Sequence, residues 1–297
     1  MTLIDALWNA SPRRWEALIL AGSIVFAGIA PHPPLLIPEI GGSRLADVAN
    51  SQLALREFSH RLIAAKPDTI VLISPHSPID AAAFTTRSTP DLYGDFRQFG
   101  APETELRFQN DYEIVDAIVA SARIESVRLN DLSQEYHLDH GALVPLYYLH
   151  EAGWKGPVAV IGFTMQSIDH HLAFGRAIRG AAAASGKRVA VVASGDLSHR
   201  LKVDGPYKYE PTAHLFDEQI VSGIASGNAR AIVEIDPALR ERAGECGYRS
   251  IIVALGAAGE SLHDQQVLSY EGPFGVGYMV AILVDENTRS RAAETIG

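Results

Sequence analysis

Cys246 is the one cysteine in 297 residues, which excludes an internal disulfide and fits a reducing, cytoplasmic setting. Cations are also scarce, with 25 Lys and Arg against 35 Asp and Glu and a formal net charge of −10. Nucleic-acid and anionic-membrane partners need a basic footprint, so neither is expected. No stretch reaches the roughly 18 uninterrupted apolar residues of a spanning helix. There is no glycine-rich phosphate loop, no HExxH and no CxxC, so nucleotide chemistry and the commonest zinc signatures are set aside. What remains is an ordinary globular composition, 47% hydrophobic and 20% charged, long enough to bury a substantial core.

The N-terminal segment needs separate treatment. Arg13-Arg14 ahead of the apolar Ala17 to Ala30 has the outline of a twin-arginine export signal. Glu16 interrupts it, however, and cleavage near the end of the run would remove a strand the fold needs. Residues 1–23 are therefore read as an extension ahead of one domain spanning 24–290.

The apolar run Ile24 to Ala30 delivers a histidine into prolines, Pro31-His32-Pro33-Pro34. A second run, Thr69 to Ile73, enters Ser74-Pro75-His76-Ser77-Pro78. Proline stiffens the backbone on both sides of each histidine. Between the two runs, Leu45, Val48, Leu53, Phe58, Leu62 and Ile63 have helical spacing, with Ser43 as the expected cap. Strand, helix and strand predict a right-handed βαβ unit with His32 and His76 at the carboxyl edge of neighbouring strands. Open α/β sheets form their ligand crevice at that edge.

Residues 79–108 lack a helical period and are expected to form a hairpin or cover over the crevice. Helices are expected at 110–123, 141–149, 169–184, 211–226 and 229–235, and again after Arg249. Strands are expected at 157–163, 188–193, 266–270 and 276–284. The fold class predicted is α/β, a single-domain three-layer α/β/α arrangement with a mixed central sheet.

Two imidazoles on short proline-bound turns offer neutral nitrogen donors of the kind iron or zinc takes. Glu245 and Cys246, adjacent on a glycine-bracketed turn, compete to be the third ligand. A carboxylate completes a two-histidine, one-carboxylate face for Fe(II), whereas a thiolate makes a softer site that zinc or copper also accepts. Adjacent side chains on a turn point apart, so one of the two is expected to bind. His199 in Ser194-Gly195-Asp196-Leu197-Ser198-His199 is a candidate acid/base, with Asp196 orienting it. His140 either orients a helix or donates a hydrogen bond to substrate. Tyr248 and Arg249 are substrate-binding candidates, Arg249 through a carboxylate. His60, His150, His170, His171 and His263 are expected to face solvent, and Glu135 and His137 precede the Asp139-His140 pair without an assigned role.

Five blocks in order resemble the class III extradiol ring-cleavage dioxygenase superfamily, the LigB-like group to which Memo-type proteins also belong. They are Ala-Pro-His-Pro-Pro at 30–34, Ser-Pro-His-Ser-Pro at 74–78, Asp-His-Gly-Ala-Leu-Val-Pro-Leu at 139–146, Ser-Gly-Asp-Leu-Ser-His at 194–199 and Gly-Glu-Cys-Gly at 244–247. The resemblance implies that His32 and His76 are metal ligands, that His199 is the acid/base and that His140 lies near substrate and oxygen. It puts the third ligand in Gly-Glu-Cys-Gly, a glutamate or histidine in dioxygenases but Cys-Gly in Memo-type proteins. It further implies a homodimer, and in some relatives a small partner subunit over the site. The function expected is an Fe(II) dioxygenase acting on a catechol-type ring with O2. The alternatives are a Memo-like metal-binding or redox protein and a metal-dependent hydrolase.

Overall fold

The structure is a computed structural model that describes residues 22–132, 137–259, 262 and 264–288. The expected extension lies outside the described residues up to position 21, as do Glu135, His263 and the last two residues of the expected domain. Ser23, placed in the extension by sequence, is already the first residue of the sheet.

Eight strands form one mixed sheet. They are β1 (Ser23–Ala30), β2 (Thr69–Ser74), β3 (Phe84–Thr86), β6 (Leu129–Asp131), β7 (Val158–Gly162), β8 (Arg188–Ser194), β9 (Gln266–Glu271) and β10 (Tyr278–Asp285), in the order β6-β3-β7-β2-β8-β1-β10-β9. β7, β2, β8 and β1 run parallel, while β10 joins β1 and β9 joins β10 in antiparallel register. Each parallel strand is a nearly unbroken apolar run because both faces are covered. Alternate residues feed opposite layers. Val71, Ile73, Val191 and Ala193 enter one core, and Ile70, Leu72, Ala190 and Val192 enter the other.

The first core is closed by α2 (Tyr112–Ile124), α4 (Ile168–Ser185), α5 (Ala213–Ala225) and α8 (Tyr248–Ala258). The second lies under α1 (Ala49–Ala64) and α3 (His140–Glu151). The expected α/β/α sandwich is thus observed. Two short helices, α6 (Ala229–Val233) and α7 (Pro237–Ala243), lead toward the Cys246 turn. A separate antiparallel pair, β4 (Asp91–Phe96) and β5 (Ala101–Gln109), supplies the hairpin expected in 79–108.

Three local readings change. Ser43 caps nothing: it sits in a 3-10 stretch over Gly42–Val48, and the α-helix begins at Ala49. His171 is fully buried instead of solvent-facing. Its ring packs edge-on to Phe84 and Phe163, and Nδ1 donates to the Ser167 carbonyl at 2.8 Å. The third change concerns the histidine strands. β1 and β2 are not neighbours, because β8 lies between them and pairs with both. Ala30 is in register with Ser194, and Ile73 with Ala193. The three strands therefore end level, and His32, Asp196 and His76 each follow a strand end by two residues.

Candidate metal centre

The level strand ends bring two imidazoles together with their rings nearly perpendicular, and His32 Nε2 lies 3.0 Å from His76 Nε2. His32 is buried, its backbone N–H donates to Asp196 Oδ1 at 3.0 Å, and its Nδ1 lies 2.9 Å from Ser194 Oγ. The turn around His76 is held from the other side. Ser74 Oγ and Ser77 Oγ both donate to the Asp139 carboxylate, which also caps α3 by accepting from Ala142 N. Gly141, in the first turn of that helix, has to be glycine because a β-carbon there would lie 2.6 Å from Ser74 Oγ and 3.1 Å from His76 Cδ2.

Two further groups reach His32 Nε2. Cys246 Sγ is 3.6 Å away and Asp196 Oδ2 4.0 Å away. His140, the first residue of α3, packs with its ring centroid 4.1 Å from that of His76. Among the described residues, two groups of potential ligand atoms lie within 4.8 Å of one another: His32, His76 and His140, and His32, Asp196 and Cys246. His32 is common to both.

The distances suit a divalent metal. Two nitrogens about 2.1 Å from one ion and at right angles lie about 3.0 Å apart. A sulfur about 2.3 Å from an ion held by His32 lies, at a tetrahedral angle, about 3.6 Å from that nitrogen; His76 and Cys246 each pair with His32 in this way but share no ligand group. Charge points the same way. Burial, then His76, His140 and His199, hold His32 well below the ordinary imidazole pKa. Burial lowers His76 against the opposing pull of Asp139. His140 and His199 fall to about 4, each first through burial and then through His76. The imidazoles are therefore neutral at pH 7 and need lose no proton to bind a cation. Burial raises Asp196 to about 7 and pushes the Cys246 thiol up. A cation beside them reverses both, since a coordinating thiol gives up its proton.

The other sequence candidates are distributed differently. Glu245 spends its carboxylate on the N–H of Tyr248 at the start of α8, 2.6 Å away, and belongs to neither ligand group. Tyr248 is core: fully buried, its hydroxyl donates to the Ile232 and Val233 carbonyls. Arg249 lies over the Phe163 ring, 5.9 Å from guanidinium carbon to centroid, on the side of the sheet that buries His171. Neither lines the cavity beside the histidines. His199 is half-buried and stacks on Tyr207 with centroids 4.9 Å apart.

That cavity has a volume of about 520 Å³, within the range of small-molecule sites. His76 and His140 line it together with Arg87, Arg97, Phe99 and His137. Phe99, between β4 and β5, sets its ring edge-on to His140 at 5.3 Å, so the hairpin forms one wall. Sequence reasoning missed Phe99 and Arg97 in the cavity lining, and Asp217 outside it. Phe99 and Arg97 sit in a segment without periodicity. Asp217, fully buried on α5, accepts from Ser198 N at 2.8 Å and Tyr270 OH at 2.7 Å, and burial raises it to about 7. It braces the turn that carries His199, but in the sequence it is one acid in an amphipathic helix.

The chain has relatives. Protein CA_C1420 of Clostridium acetobutylicum is 32% identical over 260 residues, covering 85% of this chain but 56% of that protein, so the chain spans only about half of its length. A Beta vulgaris protein named 4,5-DOPA dioxygenase extradiol is 25% identical over 237 residues, covering 72% of this chain and 82% of that one. The crystal structure of the uncharacterized protein JW3007 from Escherichia coli K12 superposes with a TM-score of 0.58 at 17% identity, covering 88% of this chain and 99% of that one. It shares the fold. Residues 27–281, from β1 to β10, match the family described as the catalytic LigB subunit of aromatic ring-opening dioxygenase, and the chain belongs to that LigB family.

Proposed function

We propose that this protein is an Fe(II)-dependent extradiol dioxygenase that opens a catechol-type ring with O2. One observation carries the reading: two imidazole Nε2 atoms lie 3.0 Å apart, with a thiol 3.6 Å from that of His32, near a cavity of about 520 Å³ that His76 and His140 line with Phe99. His32, His76 and Cys246 are the residues that would hold the metal. Fe(II) held there would supply Lewis acidity toward a substrate hydroxyl and the redox capacity of the reaction. Phe99 and His140 offer a ring face and edge against which a flat substrate stacks. His199, neutral and half-buried, is the base that takes and returns the proton. Asp196 holds His32 through its backbone N–H, a positioning role instead of proton transfer.

The test is anaerobic reconstitution with Fe(II), followed by oxygen uptake across a panel of catechols. The expected result is uptake with a yellow ring-opened product, lost in Cys246→Ala and retained in Glu245→Ala. Tight metal binding with no uptake from any catechol would overturn it. A second reading, a Memo-like metal-binding or redox protein, is favoured by the thiol at 3.6 Å from His32 where a dioxygenase carries a carboxylate or an imidazole. It predicts that outcome.

A further inference from the structure

We propose that Ser194 is a positioning residue that fixes the tautomer and orientation of His32, and that Pro145 makes this possible by leaving the Gly141 carbonyl free. In a regular helix the N–H of residue 145 would bond the carbonyl of residue 141. Pro145 lies inside α3 and has no N–H to give, and a proline ring crowds the carbonyl four residues back. The Gly141 carbonyl turns to another partner and accepts from Ser194 Oγ at 2.5 Å. Ser194 is the last residue of β8 and is fully buried.

The direction of the chain then follows from proton counting. A serine hydroxyl has one proton, and a carbonyl can only accept. Ser194 gives its proton to Gly141, so toward His32 Nδ1, 2.9 Å away, it can only accept. Nδ1 carries the hydrogen, and Nε2 presents its lone pair to His76 Nε2 and Cys246 Sγ. A histidine whose rear nitrogen donates to a fixed acceptor is the usual design of a metal ligand. Here the acceptor is a hydroxyl, held in turn by a helix carbonyl that a proline releases. The sequence places these parts in separate blocks, with Pro145 and Gly141 in one, Ser194 in another and His32 in a third.

The proposal rests on the metal-centre reading but not on ring cleavage, so absence of oxygen uptake leaves it standing. The experiment uses the full chain and two readouts. In metal-free protein, ¹⁵N chemical shifts of the His32 ring report which nitrogen is protonated. Zn(II) affinity is then measured by chelator competition. Ser194→Ala is expected to shift His32 toward a mixture of tautomers and to weaken Zn(II) binding roughly 10–100-fold. Ser194→Thr keeps the hydroxyl and is expected to restore both. Pro145→Ala, which leaves the buried strand untouched, returns the competing N–H and is expected to move both readouts in the same direction by less. An unchanged His32 spectrum and unchanged affinity in Ser194→Ala would overturn the proposal. So would a loss in Ser194→Thr as large as in the alanine variant, since that marks packing and not the hydrogen bond.

Discussion

Gly195 and Gly247 pass so close that neither has room for a side chain. A β-carbon at Gly195 would lie 2.2 Å from the Gly247 Cα, and one at Gly247 would lie 2.9 Å from the Gly195 Cα and 2.8 Å from the Asp196 carbonyl oxygen. Gly247 N donates to that same oxygen at 2.9 Å, and Asp196 N approaches Cys246 Sγ at 3.4 Å. The contact clamps the turn after β8 against the turn before α8, and it sets Cys246 beside His32. Gly195→Ala and Gly247→Ala are therefore expected to separate the turns and weaken metal binding by an order of magnitude or more, although neither removes a ligand. Zn(II) competition titration checks this. Wild-type affinity in both variants would show that Cys246 reaches its place without the clamp.

Glu245 and Cys246 should separate cleanly in their effects. Glu245 accepts from Tyr248 N at the start of α8, and losing one such hydrogen bond costs about 1 kcal/mol. Glu245→Ala should lower the unfolding midpoint and keep metal affinity. Cys246→Ala removes a small thiol from the ligand group and should do the reverse. Thermal unfolding and metal titration on the two variants decide it, and metal loss in Glu245→Ala alone would transfer the third-ligand role to the carboxylate.

The fold was readable because β1, β2, β7 and β8 are apolar on both faces, and the turns after β1, β2 and β8 carry proline or glycine. Strand order was not readable. The strand–helix–strand pattern is the same whether β1 and β2 are adjacent or separated by β8, and the choice depends on where a later strand inserts. That insertion makes Ser194 part of the centre, an assignment no local pattern carries. The contrast between Cys246 and Glu245 was likewise hidden, because their order along a turn does not say which one points at His32. His171 was misread for a related reason. One polar residue on a helix face looks exposed until its ring is found among Phe84, Phe163 and Phe174.

Burial of His171 makes stability depend on pH. Desolvation lowers it from 6.5 to about 4, so the unfolded chain takes up a proton there before the folded protein does. Its contribution is intact above pH 6.5 and is lost as pH falls from 6.5 toward 4, on the order of 3 kcal/mol in all. Asp217 works in the opposite sense. Its pKa is raised from 3.8 to about 7, so its contribution is full below 3.8 and declines as pH rises through 7. Comparing wild type with His171→Phe isolates the histidine. Urea unfolding at pH 7.5 and pH 4.5 should show the difference between the two proteins moving in favour of the variant at low pH. A difference that stays constant would assign the acid sensitivity elsewhere.

His199 provides the sharpest separation between binding and chemistry. It belongs to neither group of potential ligand atoms, its backbone N–H is anchored on the Ala243 carbonyl at 3.0 Å, and its ring rests on Tyr207. Removing the imidazole leaves His32, His76 and Cys246 with their own anchors: Ser194, the Ser74–Asp139 bridge and the Gly195–Gly247 contact. His199→Ala should therefore bind metal nearly as wild type does. If His199 is the base that accepts the substrate proton, loss of turnover should be at least about 100-fold, the usual worth of a positioned acid/base group. Oxygen uptake with the best catechol, alongside metal titration on the same preparation, reads both quantities. Equal loss of metal and turnover would place His199 among the residues that build the centre, and full turnover would move proton transfer to His140.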